Sequence, residues 1–139
     1  MKNLLLLMLL VLSTQAYAQD NDDNLSSIEV VVPNIKSADP IVRFELYDNA
    51  NFLGTPIQKA RGKIRDKQLK AYFSNLPNGD YAILCYIDKN NNVQPDKDES
   101  GNFSEKTAFS NNPANRKNPN WNSTSFKIDK KTVSIIIDM

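Results

Sequence analysis

Residues 88–101 read DKNNNVQPDKDESG, and their oxygen-bearing side chains recur at a spacing that suits a hard cation. With Asp88 as the first position, Asn90, Asn92, Asp96 and Glu99 fall third, fifth, ninth and twelfth, and Gln94 at the seventh offers a backbone carbonyl. Ca²⁺ takes about six to eight oxygen ligands, and a tightly wound loop closed by a bidentate acid supplies them in this order. The sixth position, where the sharp turn favours glycine, holds Val93, a β-branched residue that resists positive φ. The same residues also suit a polar turn between strands, because Asp and Asn hydrogen-bond their own backbone there. A Ca²⁺ site and a metal-free turn are therefore both expected readings of one segment.

Other chemistry is sparse. Lys59, Arg61, Lys63, Arg65 and Lys67 alternate, which on a strand puts them on one face. Such a face can contact an anionic glycan or lipid head group, or can be a solvated edge charged against aggregation. Trp121, the single tryptophan, stands among asparagines and prolines, where it can stack on a sugar or fold back on the core. The chain has no histidine, which excludes Ser-His-Asp and Cys-His nucleophile systems and His-based zinc sites. Its one cysteine, Cys85, cannot form an internal disulfide and lies in an apolar strand pattern, the setting of a buried structural thiol. No catalytic motif or phosphate-binding glycine loop is present.

The elements that must hold these residues are strands. Apolar residues alternate at 28, 30 and 32 and again at 42, 44 and 46. Residues 58–64 and 68–73 read as a hairpin turning near Asp66-Lys67. Residues 75–80 (NLPNGD) read as a tight turn, with Pro77 presetting φ and Asn78-Gly79 able to take positive φ. Residues 81–87 (YAILCYI) are apolar on both faces, as a central strand is. A long polar loop follows over 88–122 with a short strand near 107–109, then strands over 123–128 and 132–138. No segment has helical periodicity over three turns. Seven or so short strands separated by turn signals predict an all-β sandwich.

The N-terminus has the parts of a secretory signal peptide in order: Lys2, the apolar run 4–12 (LLLLMLLVL), and Ala16-Tyr17-Ala18 at a cleavage site. The run is about half the length of a membrane span. The expected organisation is a signal peptide over 1–18, a flexible polar lead-in over 19–27 and one β-sandwich domain over 28–139. Loss of Lys2 turns 17 basic against 16 acidic residues into 16 against 16. A neutral chain has no overall field to gather nucleic acid, so none is expected as a partner.

Several segments in order resemble an uncharacterised family of exported bacterial proteins, domain of unknown function 2141. They are NLPNGDYAILCYID, the DKNNNVQPD loop, AFSNN at 108–112, and a closing SFKI and IIID pair. The family shows an LPxGxYA turn, a D-x-N-x-N-G-x-x-D-like loop and a GFSNN element; here Val93 replaces the loop glycine, and Ala108 stands before Phe109. The loop also resembles the calcium loop of sandwich repeats in bacterial surface adhesins. The resemblance implies a transthyretin-like (prealbumin-like) Greek-key β-sandwich with no assigned activity. The expected function is an exported, non-catalytic binding or accessory module of the cell envelope, periplasmic or extracellular, with an envelope protein or glycan as partner. A small-molecule or glycan hydrolase working without histidine, and a structural subunit of an envelope assembly, are the alternatives.

Overall fold

Alternation at period two decides which way each strand faces. In β1 (Leu25–Val32) the side chains of Ile28, Val30 and Val32 are fully buried, while Glu29 between them stays partly exposed. In β2 (Val42–Tyr47) Val42, Phe44 and Leu46 take the core side. The computed structural model describes residues 25–35, 41–129 and 131–139, so the residues expected to form a signal peptide, Lys2, 4–12 and 16–18, lie outside the described residues.

The remaining elements are β3 (Gln58–Arg61), β4 (Lys63–Arg65), β5 (Gln68–Pro77), β6 (Gly79–Ile87), β7 (Thr107–Phe109), α1 (Trp121–Thr124), β8 (Phe126–Ile128) and β9 (Thr132–Ile136). They form two sheets. One has the order β4-β5-β1-β9, with β1 antiparallel to β5 and parallel to β9. The other has the order β3-β2-β6-β7, with β8 also pairing to β6. Inner-face residues of both sheets, among them Ile28, Val30, Phe73, Phe44, Ile83 and Cys85, make one shared core. The protein is all-β, with two sheets and nine described strands rather than seven or so.

Two boundaries and one turn position differ from the sequence expectation. β1 begins at Leu25, so the last residues of the expected lead-in are strand, paired through Leu25 and Ser26 to Pro77 and Leu76. The 58–64 segment is two strands in different sheets, divided at Gly62, where a Cβ would lie 2.9 Å from Leu69 side-chain carbons. A β-carbon there would force the Leu69 side chain to shift, which favours glycine at the crossing. The hairpin does turn at Asp66-Lys67, both at positive φ (51° and 63°), as the strand twist of a two-residue loop requires. In NLPNGD the positive φ falls on Asn75, at 57°, and not on Asn78-Gly79.

The SNN element is a structural clasp. Ser110 is fully buried, accepts from the Ile83 N–H at 2.9 Å and donates to the Thr124 carbonyl at 2.6 Å. Asn111 and Asn112 adopt positive φ, tolerable for Asn, and Asn111 donates to the Ser125 carbonyl. Asn112 accepts from the Asp138 N–H at 2.8 Å and donates to the Ile136 carbonyl at 3.1 Å, as a paired strand residue would at the β9 edge. Residues 123–124, expected as strand, belong to the single helical turn α1, capped by Asn120 and Ser123 reciprocally. Among the described residues no helix is long and apolar enough to cross a membrane.

Candidate functional site

β6 is buried on both faces, and its outward residues decide where the site forms. Tyr81, Ile83 and Cys85 face the shared core, whereas Leu84 and Tyr86 join Tyr47 and Phe109 in a second apolar cluster on the far side of the sheet. Phe52, Leu53 and Phe103, from the two long loops, pack over this cluster. Trp121 lies half-buried at its margin, edge-to-face with Phe52 at 5.6 Å, and Phe52 is edge-to-face with Tyr47 at 6.1 Å. The tryptophan therefore folds back onto the protein.

Register then places β2's outward residues beneath the same cover. Arg43 stands opposite Tyr86, Glu45 opposite Leu84 on one side and Lys59 on the other. Glu45 is only 2% exposed, and both of its oxygens are engaged. Oε2 accepts the Tyr47 hydroxyl, and Oε1 lies 2.9 Å from the Lys59 Nζ. The same ammonium donates to the Val93 carbonyl at 3.0 Å, tying the floor to the 88–101 loop. Burial first, and then the bond to Glu45, pushes the Tyr47 phenol well above its ordinary value. Tyr86 is fully buried, its hydroxyl has no hydrogen-bond partner among the described residues, and burial with the charges of Glu45 and Asp88 pushes its phenol up as well.

Above this floor is a cleft of about 430 Å³. Glu45, Tyr47, Lys59 and Leu84 form its base; residues 53–56 make one wall, and Gln94, Pro95, Lys97 and Phe103 the other. Lys97 caps the Phe103 ring, with Nζ 5.1 Å from the centroid. The segment singled out for cation binding is thus also one wall of a cleft.

Within that segment Asp88 is the anchor. Its carboxylate is buried at the end of β6, accepts from the Arg43 guanidinium, and takes the N–H of Asn92 at 3.1 Å and of Val93 at 3.2 Å. Burial alone pushes its carboxyl up, but Arg43 and the two N–H groups together hold it below the usual carboxylate value. Arg43 also donates to the Asn91 side chain at 2.6 Å. Asn90 and Asn92 each donate an amide to Asp96, both at 2.7 Å, while their own oxygens accept the N–H of Asn92 and of Gln94 at 3.2 Å. Val93 adopts φ 65°, the conformation for which glycine is favoured.

Asp88, Asn90, Asn92 and Asp96 therefore come together. Gln94 turns its backbone N–H inward to Asn92 and lines the cleft. Glu99 does not join them; it is exposed in a separate turn, where Asp98 accepts the N–H of Ser100 and Asn102, both at 2.9 Å. The acid that closes the loop is Glu105, 6% exposed, whose oxygens accept the N–H of Lys89 at 2.8 Å and Asp96 at 3.3 Å. Among the described residues no group of three or more His, Cys, Asp or Glu could hold a metal ion. Of the expected basic face, Lys59 goes to Glu45, whereas Arg61, Lys63 and Arg65 surround a different cleft at the sheet corner.

Sequence reading missed Arg43, Glu45, Tyr47, Tyr86 and Glu105. For all but Glu105 the signal was present: a strand apolar on both faces must be covered on both, and the outward residues of its neighbour are covered with it. Glu105, in a polar stretch, carries no such mark.

Fold and site together define a class: an all-β, two-sheet protein with one outer face roofed by loops over a buried acid. Within that class the chain belongs to a bacterial family described as "Uncharacterized protein conserved in bacteria", domain of unknown function 2141, whose model matches residues 30–136. No curated protein and no solved structure matches the chain.

Proposed function

We propose that the protein is an exported, non-catalytic binding module of the bacterial cell envelope, periplasmic or extracellular, taking part of an envelope protein or glycan in the cleft over Glu45. The observation that carries this reading is the cleft itself. Its volume of about 430 Å³ suits a small ligand, and it sets aromatic and apolar groups beside a few fixed polar ones. Both Glu45 oxygens are committed to Tyr47 and Lys59, an arrangement that holds a floor in place better than it moves a proton. The pairing of β1 with β5 and of β2 with β6 across two sheets supports a transthyretin-like Greek key.

A thermal-shift screen of envelope glycans and short peptides tests the binding role. A true ligand raises the melting temperature, and Phe103→Ala or Lys97→Ala removes the shift. Turnover of the ligand would replace this reading with the histidine-free hydrolase, and absence of any ligand with the structural subunit. Mass spectrometry of the processed protein tests export: the chain should begin near Gln19.

A calcium-stabilised loop is the second reading, favoured by the 2.7 Å contacts that gather Asn90, Asn92 and Asp96 beside Asp88. Rotating both amides would aim their oxygens at Asp96, an arrangement that needs a cation between them. Extracellular modules bind Ca²⁺ with constants of about 0.1–1 mM, so about 5 mM Ca²⁺ should raise the melting temperature by several degrees. Asp88→Ala should abolish that rise and Lys97→Ala leave it, which separates the loop from the cleft. No rise would leave a metal-free turn.

A further inference from the structure

Where Gly62 carries the chain from one sheet to the other, Arg61, Lys63, Arg65 and Lys70 line a cleft of about 200 Å³ together with Tyr72. The hairpin register sets Lys63 directly opposite Lys70, a like-charge pair that is unfavourable by itself. Lys70 is compensated by Glu29 at 3.2 Å. Arg61, Lys63 and Arg65 are exposed and have no carboxylate partner among the described residues. Lys67, also exposed, sits in the adjoining turn. Among the described residues, the acids that act on Lys70 are Glu29, already shared with the Tyr72 hydroxyl at 2.9 Å, and Asp66. In a chain of formal net charge +1 the concentration is local.

We propose that this corner binds an anionic glycan through its carboxylate or sulfate groups. Charge complementarity favours such a ligand. Lys63 and Arg65 lie two residues apart on one strand, about 7 Å, so that both can reach successive charges of one polymer. Arg61 and Arg65 present planar forks that match carboxylate and sulfate oxygens. Tyr72 favours a sugar in particular. The residue is 53% exposed, is tethered through its hydroxyl to Glu29, and stands on the same face as Lys70, a platform for a sugar ring beside the cations. The corner meets the Glu45 cleft along β3, where Arg61 serves one and Lys59 the other, but the two share no lining residue, so either can fail without the other.

The test is calorimetric titration of the processed protein with heparin, with polygalacturonate and with neutral dextran, at about 50 and 300 mM salt. Both anionic glycans should bind and weaken at the higher salt, and dextran should not bind. Lys63→Ser with Arg65→Ser should weaken binding by roughly three- to tenfold, since each solvated ion contact is modest. Lys117→Ser, a cation on another surface, should leave it unchanged. Arg61→Ser alone, expected to be weakened less, repeats the comparison if the double variant has an altered circular dichroism spectrum. Equal loss in Lys117→Ser would overturn the site, and so would binding to phosphatidylglycerol vesicles without binding to either glycan.

Discussion

Glu29 and Glu45 occupy equivalent places in the two sheets. Each is an outward residue on a strand whose inward neighbours are core, each pairs with a lysine at about 3 Å, and each accepts a tyrosine hydroxyl. Glu29 lies on the open face of the β4-β5-β1-β9 sheet, where the bonds from Tyr72 and Lys70 only lower its carboxyl in solvent. Glu45 lies under loops, because the neighbouring β6 is apolar outward as well as inward and brings Phe52, Leu53 and Phe103 over it. The same three residue types, differently placed on their strands, make a surface decoration in one sheet and the floor of a cleft in the other. What differs is the strand beside it.

Substitution at the two positions tests this contrast most severely. Glu45→Ala strands the buried Tyr47 hydroxyl and the inner side of Lys59, and should cost about 2–3 kcal/mol in chemical denaturation. Glu29→Ala should fall within the scatter of ordinary surface changes. Equal effects would break the comparison. Asp88→Asn should come next, at about 1–2 kcal/mol at neutral pH, through loss of the charged acceptor for Arg43 and two N–H groups. Because folding lowers the Asp88 pKa, its contribution is fully present above the unfolded value of 3.8 and fades as pH falls through the folded value. The stability curves of the wild type and the Asp88→Asn variant should therefore converge below about pH 4 and stay parallel above it. The smallest effect has the opposite sign. Val93→Gly relieves a β-branched residue at φ 65° and should stabilise by about 0.5–1 kcal/mol, the glycine's added unfolded-state entropy offsetting part of the relief.

Much of the fold was legible because burial writes itself at period two. β1, β2, β6 and the Asp66-Lys67 hairpin could be read from that pattern and from turn chemistry. The crossing at Gly62 could not, since Lys59 to Lys67 alternate without interruption while the backbone changes sheets; what marks it is the room a glycine leaves for Leu69 of the following strand, which the alternation does not record. The loop showed its Asp88, Asn90, Asn92 and Asp96 by spacing, whereas the replacement of Glu99 by Glu105 as the closing acid depends on how the chain returns as β7. Burial of Glu105 by tertiary packing leaves no local trace in a run of Ser, Glu, Lys and Thr. Residue type alone also could not separate Glu29 from Glu45.

Residues 88–106 are, on these contacts, a fixed roof clamped to the covered sheet by two buried carboxylates. Native-state amide hydrogen exchange measures this residue by residue. The N–H groups of Lys89, Asn92, Val93 and Asp96, which donate to Asp88 or Glu105, should be protected despite lying in a loop, and Glu105→Ala should release Lys89 and Asp96 first. Exchange of all four at the rate of an unstructured peptide would contradict the account.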